Sequence, residues 1–568
     1  MTDGAPLLWA ALVVPMLAAL LALALGGRAG ERIHLALPPA GLAIAFAIAA
    51  QATRSAEPLR YHLGGWAPPL GVALRADGAS AAMLVVTAVV MCAVALYART
   101  SLGTPENVHE ARLPYAFWVL LPGVWAGLNA VFLCADLFSG YVALELLTFG
   151  AVPLVCLDGR GETLSAALRY LLFALLGSMF YLVGTALLYG AYGTLDIALL
   201  AGPLRGEPAV WVAVALMTAG LLAKAALFPL YLWLPPAHAG APAPASAVLS
   251  ALVVKGPFFL IVRLWLDVLH GAAGLPAAQL LAAMGAAAIL FGNALALRQA
   301  RLKLMIAYST VAQLGYLFLI FPLAASPAAL TGGVLQAINH ALAKAAMFLA
   351  AGLVAERLGH DRMAELRGAG RVLPLPVLAF ALAGFALVGV PPSGGFLAKW
   401  FLVSAAAETG HAWLPRVTDL GGLLTSAYVF LVLGRALAGP VEPLVSAAPR
   451  GRSRGAVAAA LAASAALLGL LPLVAPGPDS IVPQIALGKA LAYAVSPAAL
   501  WPVGVGAALA FVLLRRAREA SGAQALVALD RSLRKLDRRL RQWPVAALSL
   551  VAVALSLGAA MWLRDLRW

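Results

Sequence analysis

Long apolar stretches separated by short polar or Gly/Pro-marked turns fill almost the whole chain. They fall at approximately 6–25, 34–51, 79–98, 113–134, 137–156, 165–190, 209–233, 242–268, 276–297, 303–322, 329–355, 374–407, 417–438, 455–474, 490–514 and 543–563. About 20 apolar residues in helical form cross the hydrocarbon of a bilayer, so the pattern predicts about 16 transmembrane helices, numbered here in chain order. Stretches this long, without alternation, must be helices and not barrel strands, because lipid offers no partner for backbone N–H and C=O groups. The first stretch follows Asp3 and lacks a basic leader, so it reads as a spanning helix and not as a signal peptide.

Composition agrees. The chain has 568 residues, is 63% hydrophobic and 11% charged, and has a mean hydropathy of +0.93. A soluble protein is nearer half apolar, and no charged stretch here is long enough to build an aqueous domain. The three cysteines, Cys92, Cys134 and Cys156, are isolated, with neither pairing nor metal-ligand spacing. Only His340 among the eight histidines sits mid-span, so no haem ligand pair faces across helices. No cofactor and no metal site are expected, and any redox chemistry would belong to partners.

The net charge of +15 raises the question of nucleic acid, but the placement of the basic residues gives a different reason. Most Lys and Arg lie in loops after odd-numbered spans, for example Arg298, Arg301 and Lys303, then Arg357, Arg362, Arg367 and Arg371, then Arg450, Arg452 and Arg454. The positive-inside rule puts those loops in the cytoplasm, and an even number of spans puts both termini outside, on the periplasmic side of a bacterial inner membrane. The basic segment 515–541 differs, because Leu526, Val527, Leu529, Leu533, Leu536 and Leu540 recur at helical spacing against its charge. It predicts an amphipathic helix at the interface, the alternative being a solvated basic loop that fixes topology.

Five basic residues remain inside spans: Lys224, Lys255, Arg263, Lys344 and Lys399. Arg263 is near a span end and is expected to snorkel. The others are costly in lipid and mark an ion or proton path, or else static ion pairs that fix helix register. A buried lysine can exchange its proton near neutral pH, and Glu145, central in the fifth span, is the candidate acidic partner. His340 and Lys344 are four residues apart and share a helix face, where an imidazole can relay a proton.

Two spans carry interruptions next to a lysine. Lys224 precedes Phe228-Pro229 and Leu234-Pro235-Pro236, and Lys399 follows Val390-Pro391-Pro392-Ser393-Gly394-Gly395. Pro229, Pro236, Pro391, Pro392, Gly394 and Gly395 are expected to break both helices near mid-membrane and expose polar backbone.

These runs, with Asp136-Leu137-Phe138, Trp233-Leu234-Pro235-Pro236-Ala237-His238 and Asn339-His340-Ala341-Leu342-Ala343-Lys344, resemble the antiporter-like membrane subunits shared by Mrp-type sodium/proton antiporters and respiratory complex I. The resemblance covers about residues 61 to 454. Gly64–Gly71 followed by Asp77 is most similar to the D subunits of Mrp antiporters. The resemblance implies an all-α membrane fold with two inverted five-helix repeats: 1–112 would be three leading spans, 113–268 and 276–438 the half-channels, and 455–568 the C-terminal helices, of which the two spans after residue 480 and the basic segment between them exceed the usual D subunit. It implies Glu145 and Lys224 as the coupling pair, Lys255 as the link, His340 and Lys344 on the axis, and Lys399 as the terminal lysine. It also implies a subunit of a hetero-oligomer carrying H+ and Na+ across the lipid bilayer, with no role for nucleic acid. Gly256-Pro257-Phe258 departs from the family's Gly-x-Tyr pattern after Lys255, a difference in local helix geometry. A proton-pumping subunit of a redox complex is the second reading, and a non-transporting scaffold subunit the third.

Overall fold

In the computed structural model the described residues are 5–565, apart from 56, 106, 202–206, 271, 273, 440–450, 471–483 and 517–523. Among them, 14 helices are long and apolar enough to cross a membrane, from Pro6–Leu25 to Trp543–Leu563. The two remaining apolar stretches of the sequence, the seventh and twelfth, are the interrupted ones. The seventh is a helix Pro208–Lys224, a non-helical break, and a short helix Leu234–Gly240. The twelfth is a helix Pro374–Val388, a break, and a helix Gly394–Glu408. The basic segment forms the helix Gln524–Leu540.

Large apolar side chains such as Leu20, Phe149, Leu172 and Leu555 face outward, as they must when lipid is the solvent. Burial within protein is therefore the informative property. The eighth span, Ala243–Val268, is wholly surrounded by protein, and the eleventh, Pro327–Leu358, is 89% buried, whereas Gly488–Arg515 is 18% buried. Lys255 and Lys344 lie on these two spans, and both are fully buried.

The chain divides into two compact units. One holds Met1–Ala226, Leu230–Leu280 and Ala546–Trp568; the other holds Leu227–Pro229 and Leu281–Val545. In the first, spans six and seven approach closely through glycines: a methyl group on Gly177 would lie 2.7 Å from the Gly220 carbonyl oxygen. Small residues permit this approach, which drives helix association where lipid gives no hydrophobic push.

Two features depart from uniform helix. Leu59–His62 pairs antiparallel with Ala73–Ala76 in a hairpin before the third span. The eighth span changes pitch, with π-helical turns at Leu249–Val253 and Arg263–Val268 flanking the α-helix Lys255–Val262. Pro257 has no N–H to give to the preceding turn, so a wider turn there is the physical counterpart of the Gly256-Pro257-Phe258 departure.

Arg263 does not snorkel. It is 5% exposed, and its Nη2 donates to Asp77 Oδ1 at 2.8 Å while Nη1 donates to Asp267 Oδ2 at 2.8 Å. Arg75 meets Asp267 at 3.2 Å, closing a four-charge joint between the hairpin, the third span and the eighth. Burial pushes the Asp77 carboxyl up, but the Arg263 hydrogen bond and charge, the Ser80 amide and Arg75 outweigh it and hold it well below the usual carboxylate range. A depressed folded value stabilises above the unfolded pKa and is lost as pH falls through the folded one. Asp77→Asn is expected to cost about 3 kcal/mol, since a buried guanidinium loses a partner. In thermal unfolding the gap to wild type should stay constant from about pH 8 to pH 5 and narrow only below about pH 4. A gap that changes between about pH 5 and 8 would assign the effect to another group.

Candidate functional site

Glu145 is on the helix Leu137–Val155, which starts where Asp136 accepts the Ser139 amide at 2.7 Å, a normal N-cap. Lys224 is the last residue of Pro208–Lys224, where the helix stops. Its Nζ donates to Glu145 Oε1 at 2.9 Å and to Thr148 Oγ1 at 3.0 Å. The side chains are 5% and 14% exposed, so the pair is largely dehydrated. Ser178, next to Gly177 in the close helix contact, also donates to Glu145 Oε1. The carboxylate thus has an ammonium and a hydroxyl on one oxygen, and the ammonium has a hydroxyl in reserve.

The break beyond Lys224 is built from backbone needs. A helix end leaves carbonyls without partners. Trp233 Nε1 donates to Ala223 O at 3.1 Å, and its ring stacks on Tyr170 with centroids 4.0 Å apart. Pro229 lies in the break, and Pro236 lies in the first turn of the short helix after it. Lys255, fully buried, sends its Nζ to Ser250 O at 2.8 Å, a carbonyl within the π turn.

In the second unit, His340 and Lys344 are both fully buried on Pro327–Leu358. Lys344 Nζ donates to Ile306 O at 3.1 Å and to Ser309 Oγ, both on the tenth span. The break after Val388 turns at Gly389, φ +89°, a left-handed position suited to glycine. Pro391 and Pro392 occupy the break, Ser393 caps the next helix by accepting the Phe396 amide at 3.2 Å, and Gly394 and Gly395 are its first residues.

The carbonyls freed by this break are held by polar side chains. Asn339 Nδ2 donates to Ala386 O at 3.2 Å, Gln313 Nε2 to Leu387 O at 3.5 Å, and Lys399 Nζ to Val388 O at 2.6 Å. Gln336 Nε2 donates to Gln313 Oε1 at 3.0 Å, and the Lys399 ammonium lies 4.9 Å from the centre of the Tyr316 ring, at cation–π distance. A polar thread therefore runs from Gln336 and Asn339 on the eleventh span, near His340, to Lys399. Asp419 is a charge felt by Lys399, whose Nζ also lies 3.6 Å from where a methyl on Gly422 would be, one turn along the same helix.

Of the six expected titratable residues, Lys224, Lys255, His340 and Lys344 are buried and Glu145 and Lys399 are partly buried. Glu145 and Lys224 meet directly, and Lys399 lies at its helix break. Sequence reasoning missed Thr148, Ser178, Ser309, Gln313, Gln336 and Asp419. Asp419, an acidic residue inside the thirteenth stretch, carries the same signal as the intramembrane lysines and was findable on that ground. The hydroxyls gave no signal.

A multi-pass helical membrane protein with intramembrane lysines at two broken helices is, by class, built for moving ions or protons across a bilayer. The comparisons with known proteins are specific. The family profile described as NADH:quinone oxidoreductase/Mrp antiporter, transmembrane region, matches residues 134–425, a span containing all six residues, and the chain belongs to this family. It is 35% identical over 384 residues to the N subunit of the NADH-quinone oxidoreductase of Desulforudis audaxviator, covering 67% of this chain and 75% of that one. It is 29% identical to the D subunit of the Na(+)/H(+) antiporter of Alkalihalophilus pseudofirmus, over 64% of this chain and 73% of that one. Among solved structures, a chain of the Mrp complex from Dietzia sp. DQ12-45-1b superposes with a TM-score of 0.74 at 26% identity, covering 89% of this chain and 100% of that one.

Proposed function

We propose that the chain is the proton-translocating membrane subunit of a multi-subunit monovalent cation/proton antiporter, with Na+ as the exchanged ion, in a bacterial inner membrane. The observation that carries this reading is the Lys224–Glu145 pair, 2.9 Å apart and set at a helix break. Such a pair stores one proton's worth of charge and changes partners when the proton moves. When Lys224 loses its proton, Thr148 and Ser178 supply hydrogen bonds that keep amine and carboxylate from being stranded. The relay of this unit continues to Lys255 on its π-turn carbonyl. In the other unit, Lys344 with His340 one turn before it feeds the polar thread that ends on Lys399. The basic loops after odd-numbered spans support cytoplasmic placement of those loops and periplasmic termini.

The match to the N subunit of an NADH-quinone oxidoreductase favours a second reading, a proton-pumping membrane subunit of an NADH:quinone oxidoreductase-type complex. One assay separates them. Inverted vesicles carrying the assembly are given a pH gradient, followed with a fluorescent dye. Collapse of the gradient on adding sodium is the expected result; a gradient built by NADH and unmoved by sodium assigns the chain to a redox pump.

A further inference from the structure

The basic helix Gln524–Leu540 has a charge pattern that translocation does not use. It borders a recess of about 440 Å³ at the ends of the ninth and tenth spans, lined by Arg298, Tyr308, Arg534, Asp537, Arg538 and Arg541. Arg534 and Arg538 stand at i and i+4 on one face of this helix, Arg541 follows in the turn just past its end, and Arg298 adds a fourth guanidinium from the end of the ninth span.

Two carboxylates answer these four cations. Asp530 accepts Arg298 Nε at 2.6 Å and Arg534 Nε at 3.0 Å. Asp537, 6% exposed, accepts the Tyr308 hydroxyl at 2.9 Å and Arg541 Nε at 3.1 Å. The Arg298 hydrogen bond, against a smaller effect of burial, holds the Asp530 carboxyl below its usual range, so both walls keep their ion pairs at neutral pH. Arg538 has no carboxylate at ion-pair distance among the described residues; its Nε donates to the Arg534 carbonyl at 3.4 Å. Positive charge exceeds negative, and the excess is guanidinium, whose planar fork matches phosphate oxygens in pairs.

The recess also has an apolar border in the half-buried Leu304, with Leu295 buried behind it. It stands at the level where spans end, because Arg298 follows the ninth span, Tyr308 is in the second turn of the tenth, and Trp543 opens the last span three residues after Leu540. A ligand suited to it has a phosphate at one end and hydrocarbon at the other.

We propose that this recess binds the phosphodiester headgroup of an anionic phospholipid, with Arg534 and Arg538 as its principal phosphate ligands. The lipid would fasten the basic helix to the span ends, with its acyl chains running down into the bilayer past Leu304. The proposal does not depend on which ion is transported.

The test is a titration of short-chain phosphatidylglycerol into the detergent-purified assembly, read by native mass spectrometry. Phosphatidylcholine and inorganic phosphate are separate arms. Wild type is expected to hold phosphatidylglycerol over phosphatidylcholine, and Arg534→Gln with Arg538→Gln to lose about tenfold in affinity. Arg531→Gln with Arg539→Gln removes the same charge from outside the recess and is expected to change little. Arg534→Lys with Arg538→Lys keeps the charge and the exposed helix face but loses the fork, and should also weaken binding. Equal affinity in all four proteins would overturn the site. Inorganic phosphate bound as tightly as the lipid would overturn the lipid assignment and leave a free phosphate as the ligand.

Discussion

Lys224→Ala is expected to abolish sodium-dependent collapse of the pH gradient, and Glu145→Gln to do the same, while both proteins still insert and assemble. Each single change leaves one buried charge or dipole without its counterpart. Removing one member of a buried ion pair costs about 3–5 kcal/mol, so Lys224→Ala should also lower the melting temperature. The informative protein is the double variant, Lys224→Met with Glu145→Gln. Replacing both members by neutral groups of similar size is often neutral for stability or better. If the pair were a static lock for helix register, the double variant would recover transport along with stability. If it carries the proton, stability returns and transport does not. The second outcome is expected, because Ser178 and Thr148 give the pair alternative partners that a mere lock has no use for.

Gly395→Ala should be nearly as damaging despite adding a single methyl group. Its Cβ would run into the Ala386 carbonyl oxygen and lie 2.8 Å from Asn339 Nδ2. The first obstacle is backbone and cannot swing aside, so the helix Gly394–Glu408 must back away from Pro374–Val388 and carry Lys399 with it. Overpacking of this kind costs about 1–3 kcal/mol. Transport is expected to fall more than stability does, since the Lys399 contact with Val388 O at 2.6 Å depends on that approach. Gly394→Ala is the internal comparison: its methyl would meet the Leu468 side chain, at 2.5 Å from Cδ2 and 2.9 Å from Cβ, and no backbone atom, so a milder effect is expected. Similar losses from both would remove the special role given to the Ala386 carbonyl.

The spans and both breaks were legible in the sequence for a definite reason. Lipid permits only helices, so length and apolarity suffice, and proline next to an intramembrane lysine is too costly to be accidental. The lysines and Glu145 stood out because charge is rare in such stretches. Partners were far less visible. Arg263 read as a snorkelling residue because it stands near a span end; Asp267, four residues on, was a partner the sequence offered, while Asp77 is 186 residues away and was not. Thr148, Ser178 and Ser309 were invisible because a hydroxyl in a span ordinarily donates to a carbonyl of the preceding turn; the Ser178 hydroxyl lies 3.0 Å from Ala174 O and shares its one hydrogen between that carbonyl and Glu145. The hairpin Leu59–His62 with Ala73–Ala76 was read only as a connection, since four-residue strands carry too little alternation to register. The π turns beside Lys255 were foreshadowed only by the position of Pro257.

The carbonyls of Ala386, Leu387 and Val388 have a consequence of their own. An ammonium has three hydrogens to give and no lone pair, which suits a rim of acceptors. In the proposed relay, a Lys399 amine that has given up its proton has a lone pair that asks for a donor, and the Leu387 and Val388 carbonyls it faces have none to offer. Water is therefore expected to enter the break as the proton departs in this relay, whereas the Glu145–Lys224 pair has the Ser178 and Thr148 hydroxyls beside it. The two sites are then expected to differ in kind, a dry exchange at the pair and a hydration-dependent port at Lys399.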